Sequence, residues 1–156
     1  GHFSEEYRLE NRDAITEWFK KYLITYIDGY NYWRGKGYKP MANLYVNVYW
    51  INYMKGNDFN PPHGHDGDLS FVIYPHMPKE IIKENKSYKG TTTGPGGIAW
   101  FYGDGDPQYT VNMMPQTGDL FIFPASLKHW VFPFKSKAER ISVSGNILFG
   151  KEGTNV

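Results

Sequence analysis

Two imidazoles and two carboxylates fall within six positions of one short stretch, Asn60-Pro61-Pro62-His63-Gly64-His65-Asp66-Gly67-Asp68, directly ahead of the apolar run Leu69–Tyr74. In an extended segment residues i and i+2 point to the same side, so His63 and His65 can face inward together, with Gly64 leaving room between them. A third imidazole, His129, opens a later apolar stretch after the turn Pro124-Ala125-Ser126-Leu127-Lys128. Three ligands on one face of a metal leave the other positions to substrate and dioxygen. Non-haem Fe(II) oxygenases are built this way, usually from two His and one carboxylate. His65, Asp66 and Asp68 all stand as candidates for the second ligand.

Arg140 follows His129 by eleven residues, and Ser142 lies two further along the same strand pattern. A guanidinium fork and a hydroxyl on one face form a clamp for a carboxylate. Beside a metal site, such a clamp suits a dicarboxylate co-substrate that chelates the metal at one end and forms a salt bridge at the other.

These residues need a scaffold, and composition constrains it. A chain of 156 residues is enough for one domain with a real core, and residues 1–156 are read as a single domain. Thirteen Tyr, 10 Phe and 5 Trp, together with 17 Gly and 10 Pro, favour a β-rich, turn-rich fold. Seventeen basic against 16 acidic side chains give no footprint for binding a phosphate backbone, so nucleic acid is not indicated. With no cysteine, any metal must rest on His, Asp or Glu. No apolar run is long enough to span a bilayer and the N-terminus lacks a leader pattern, so the default expectation is a cytoplasmic protein without a membrane partner.

Ile15, Trp18, Phe19, Tyr22, Leu23, Tyr26, Ile27 and Tyr30 form the stripe of an amphipathic helix that buttresses a sheet. Strands are expected at 44–53, 69–74, 98–102, 109–112, 120–124, 129–133 and 140–149, with a long surface excursion at 77–97 that has the length of a lid. Seven or eight short strands after one helix, with no βαβ alternation, point to two packed antiparallel sheets of the jelly-roll kind.

The chain resembles the Fe(II)- and 2-oxoglutarate-dependent oxygenases, specifically the prolyl-hydroxylase-like branch and the small bacterial and phage proteins near it. The pieces that carry the resemblance are Trp50-Ile51-Asn52-Tyr53 with Gly56, Asn60–His65, Leu69-Ser70 leading to Tyr74, Gly118–Pro124 leading to His129, and Arg140–Ser144. The resemblance implies a double-stranded β-helix, with iron on His63, the residue two later and His129. It also implies 2-oxoglutarate anchored by Arg140 and Ser142, with Tyr74 on its distal carboxylate and Asn52 or Tyr53 within reach of co-substrate or substrate. The implied activity is hydroxylation of a small-molecule or peptide substrate with dioxygen. One departure stands out: most of the superfamily has an acidic residue where this chain has His65, which would make the iron site one unit more positive.

Two other readings compete. One is a cupin-like metal enzyme that does not use 2-oxoglutarate. The other is a non-catalytic β-sandwich binding module, using Trp33, Tyr38 and Trp100 as exposed aromatic contacts.

Overall fold

A computed structural model describes residues 4–34, 44–103 and 109–149. The elements in chain order are β1 (Glu5–Leu9), α1 (Arg12–Arg34), β2 (Leu44–Met54), β3 (Asn60–His63), β4 (Leu69–His76), α2 (Lys79–Ser87), β5 (Ile98–Tyr102), β6 (Tyr109–Met113), β7 (Leu120–Pro124), β8 (His129–Val131) and β9 (Arg140–Phe149). Five strands form one sheet in the order β1-β2-β9-β4-β7, and four form a second in the order β3-β8-β5-β6. All described pairings are antiparallel. The expected jelly roll is therefore present.

Strand alternation divides the apolar residues between two cores. From β4, Val72 and Tyr74 point between the sheets, where they join Met54, Met77, Ile81, Ile98, Trp100, Phe123 and Phe134. Leu69 and Phe71 point the other way, to a layer of Phe19, Leu23, Val46, Tyr49 and Ile147 beneath α1. Val46 and Tyr49 differ in parity, yet both face α1. The register shift between Val46 and Val48 explains this, because one extra residue in a strand exchanges its faces. Downstream of that bulge Trp50 and Asn52 turn inward, toward the space between the sheets.

The helix forms where its stripe predicts. Asn11 precedes it and its side-chain oxygen accepts from Ala14 N, satisfying one otherwise unpaired amide of the first turn. Phe19 then packs at a tilt against Phe71, with ring centroids 4.3 Å apart. That contact depends on Gly145 in β9, where an added Cβ would lie 2.7 Å from the Phe71 ring. No helix among the described residues is long and apolar enough to cross a membrane.

Three elements differ from the sequence expectation. β1 is an additional edge strand, paired with β2 over five positions from Glu5↔Tyr53 to Leu9↔Tyr49. The stretch 60–63, read as extended but not counted among the strands, forms a short strand of its own. The excursion at 77–97 contains α2 and is packed down rather than lid-like: Ile81 is fully buried, Glu84 accepts from the backbone N–H groups of Lys135 and Ser136, and Gly96 N donates to Pro133 O.

Candidate active site

The minor sheet carries two of the histidines as direct neighbours. β3 and β8 pair His63 with His129, so the two rings share a face, with centroids 4.3 Å apart. His65 lies just beyond β3, its position fixed by a bond from its own N–H to Ala125 O. The potential ligand atoms of His63, His65 and His129 all lie within 4.8 Å of one another.

Two of the rings are oriented by backbone carbonyls. His63 Nδ1 lies 2.7 Å from Pro61 O, and His129 Nδ1 lies 3.0 Å from Leu127 O. A carbonyl oxygen can only accept, so both Nδ1 atoms carry a proton, which makes Nε2 the lone-pair atom of each ring in its neutral form. On His63 the Nε2 lone pair meets the Asn60 amide at 3.1 Å. Burial holds His65 down to about 4, assisted by His63 and opposed by Asp66. Burial likewise holds His129 at about 4, against the bond to Leu127. Both are neutral at pH 7, the form in which imidazole binds metals.

Neither aspartate joins the cluster. Both are exposed, and the Asp68 carboxylate accepts from Phe149 N at 2.8 Å, so it serves the end of β9.

The major sheet supplies the opposite wall. Arg140, Ser142, Tyr74 and Asn52 line the same cavity as the three histidines, together with Trp50, Asn60 and Ser144. Arg140 is 1% exposed. Its Nη1 donates to Gly96 O at 3.1 Å, its Nη2 meets the Met54 sulfur, and its Nε is buried with no partner. Among the described residues no carboxylate pairs with it. Burial lowers its pKa, but a guanidinium titrates so far above neutrality that it keeps its charge. Tyr74 packs beside it, with the Arg140 Cζ 5.6 Å from the ring centroid, and burial pushes the phenol up to about 12.

Asn52 is more committed than the sequence suggested. In the amide orientation that satisfies both neighbours, it donates to Glu6 Oε2 at 2.6 Å and accepts from Trp50 Nε1 at 3.1 Å. Its side chain thus links β1 to the indole that packs against His65, at 5.6 Å between ring centroids. Tyr53 faces away from the cavity and packs edge-on against Tyr7.

Of the aromatic contacts expected of a binding module, only Trp100 falls among the residues whose side chains are described, and it is not exposed. Trp100 is buried because it lies directly across from His129 in the sheet and packs on Phe121 and Phe123. Tyr38 and the Trp33 side chain lie outside the described residues. Two participants had no sequence signal: Gly96, which acts through its backbone carbonyl, and Glu6, which lies on an unrecognised strand.

Residues 48–146 match the family described as "Putative 2OG-Fe(II) oxygenase". A search of curated proteins gives no match. Among solved structures, the chain is similar to a viral collagen prolyl hydroxylase from Paramecium Bursaria Chlorella virus-1. There the TM-score is 0.57 at 13% identity, over 94% of this chain and 80% of the other. It is also similar to a prolyl-4-hydroxylase from Pseudomonas putida, with a TM-score of 0.51 at 16% identity over 90% and 66%. An oxidoreductase of the 2OG-Fe(II) oxygenase family from Burkholderia pseudomallei gives 0.52 at 17% identity, over 72% of this chain. This chain spans about half (48%) of that protein's length. At these identities the likeness is one of fold.

Proposed function

The chain belongs to this 2OG-Fe(II) oxygenase family, and from that premise we propose that it hydroxylates an as yet unidentified substrate at a C–H bond, with residues 1–156 acting as one catalytic domain. As a member it is an enzyme that uses Fe(II), 2-oxoglutarate and dioxygen. His63, His65 and His129 hold the iron, with His65 rather than Asp66 or Asp68 as the second ligand. Arg140 and Ser142 hold the co-substrate, Tyr74 contacts its distal carboxylate, and Asn52 shapes the wall.

The observation that carries this reading is the charge of Arg140. Burying a guanidinium without a counter-ion is costly, and the cost is offset when an anion enters the same space. Arg140 opens on the cavity that also receives the three imidazoles, so a dicarboxylate with a metal-binding end fits both walls. The donor set fits iron equally well, since the potential ligand atoms of three imidazoles lie within 4.8 Å of one another and backbone carbonyls bond the Nδ1 of two of the rings.

Bound iron supplies the oxidising chemistry, coupling decarboxylation of 2-oxoglutarate to succinate with oxidation of the substrate. The chain does the rest. Pro61 O and Leu127 O hold the ring tautomers, and Arg140 fixes the co-substrate's far end so that its other end reaches the histidines. Phe123, Val131 and Ile98 exclude water from the space between.

Anaerobic titration of the Fe(II) protein with 2-oxoglutarate tests the proposal. The expected result is a weak visible charge-transfer band that saturates. Its absence at saturating co-substrate favours the cupin-like alternative, in which Arg140 would hold a substrate carboxylate instead.

A further inference from the structure

The Arg140 fork is not held by its own strand. One of its nitrogens is held by the carbonyl of Gly96, which lies in the connection between α2 and β5, and the loop that presents this carbonyl is itself tied to α2 through one side chain. Asn85 Nδ2 donates to Thr93 O at 2.6 Å and to Pro95 O at 2.9 Å, on either side of Gly94 and immediately before Gly96. Further backbone bonds join Gly97 N to Gly94 O, Gly96 N to Pro133 O and Phe132 N to Gly97 O. Gly96 has φ +74, and a Cβ there would meet Ile81 Cγ2 at 2.3 Å, so only glycine can turn its carbonyl to the guanidinium at this place.

We propose that Asn85 is a positioning residue for the co-substrate. By clamping the 93–97 loop it aims the Gly96 carbonyl, and through it the Arg140 fork, so that the buried Nε and the remaining N–H groups face the incoming carboxylate. The inference rests on 2-oxoglutarate being the ligand of Arg140. It assigns to the segment 77–97 a role in holding the anchor, in place of covering the mouth. A guanidinium that has lost this restraint keeps its charge but must be ordered each time the carboxylate binds, which weakens affinity.

Asn85→Asp separates positioning from bulk, because it keeps the shape and removes both N–H donors. Isothermal titration of the anaerobic Fe(II) protein with 2-oxoglutarate should show about five- to tenfold weaker binding in N85D and N85A, and a larger loss in Gly96→Ala. KM for 2-oxoglutarate should rise by a similar factor, with kcat at saturation changing less. Leu23→Val, which lowers stability from the helix layer without touching the loop, should leave the affinity at the wild-type value. Wild-type affinity in N85D overturns the inference and leaves the assignment of the co-substrate intact, as does an equal loss in L23V. Failure of the wild-type protein to bind 2-oxoglutarate overturns both.

Discussion

The two walls of the cavity solve opposite problems. The minor sheet presents two histidines, His63 and His129, each with its Nδ1 bonded to a nearby backbone carbonyl. This wall is satisfied as it stands and gains by accepting a cation. The major sheet presents Arg140 fully buried, charged and incompletely bonded, a wall that is unsatisfied and gains by accepting an anion. The contrast teaches that a site can be prepared either by neutrality or by stored electrostatic cost. Only the second kind should weaken the empty fold.

The sharpest way to break the comparison is to remove one ligand. His129→Ala should reduce iron affinity by more than about a hundredfold and abolish turnover, as read by bound iron after desalting and by succinate release. Retention of iron would show that the minor sheet is not the metal wall. Next in size is Arg140→Met. Iron binding should persist while affinity for 2-oxoglutarate falls about a hundredfold, and the unliganded protein should melt at a higher temperature than wild type, because an uncompensated buried charge has gone. A lower melting temperature would contradict the stored cost.

Smaller effects sharpen the choice inside the histidine cluster. His65→Asp should keep the iron, while Asp68→Asn should leave iron affinity within about twofold of wild type and cost about 1 kcal/mol in denaturant unfolding, through the bond to Phe149 N. Strong loss of iron in D68N would move the ligand to Asp68. The smallest effect belongs to Tyr74. Its phenol is pushed up to about 12 from the usual value near 10, so between these values the unfolded chain releases a proton that the folded chain keeps. Its contribution to stability is intact below about pH 10 and is lost as pH rises through about 12. Tyr74→Phe should therefore flatten that part of the stability profile.

The gathering of these candidate residues around one cavity was legible because side-chain chemistry and strand period coincide in them. His63 with His65 and Arg140 with Ser142 are both i, i+2 pairs, which an unbulged extended backbone keeps on one face; Arg140 and Ser142 do so within β9, while His65, just beyond β3, is held by its bond to Ala125 O. β1 was not legible: Glu5-Glu6-Tyr7-Arg8-Leu9 is mostly exposed, and it is a strand because β2 offers it an edge, with Asp58 accepting from Ser4 at its start. α2 was read as loop because its nine residues are mostly charged and polar and only Ile81 is buried, too little for a helical stripe to register. Trp100 was read as exposed because aromatic composition does not say which face of a strand is covered. The register across from His129 decides it.

The pairing of β3 with β8 has a consequence beyond ligand geometry. β3 is four residues long and is matched to its neighbour at only two positions, Asn60↔Val131 and His63↔His129, with an irregularity between them. A strand so weakly laddered has little cooperativity of its own. An ion shared by His63 and His129 would act as a cross-link between two points far apart in the sequence, removing much of the freedom of the chain between them. Iron would then do structural as well as chemical work, completing one edge of the minor sheet as it completes the site.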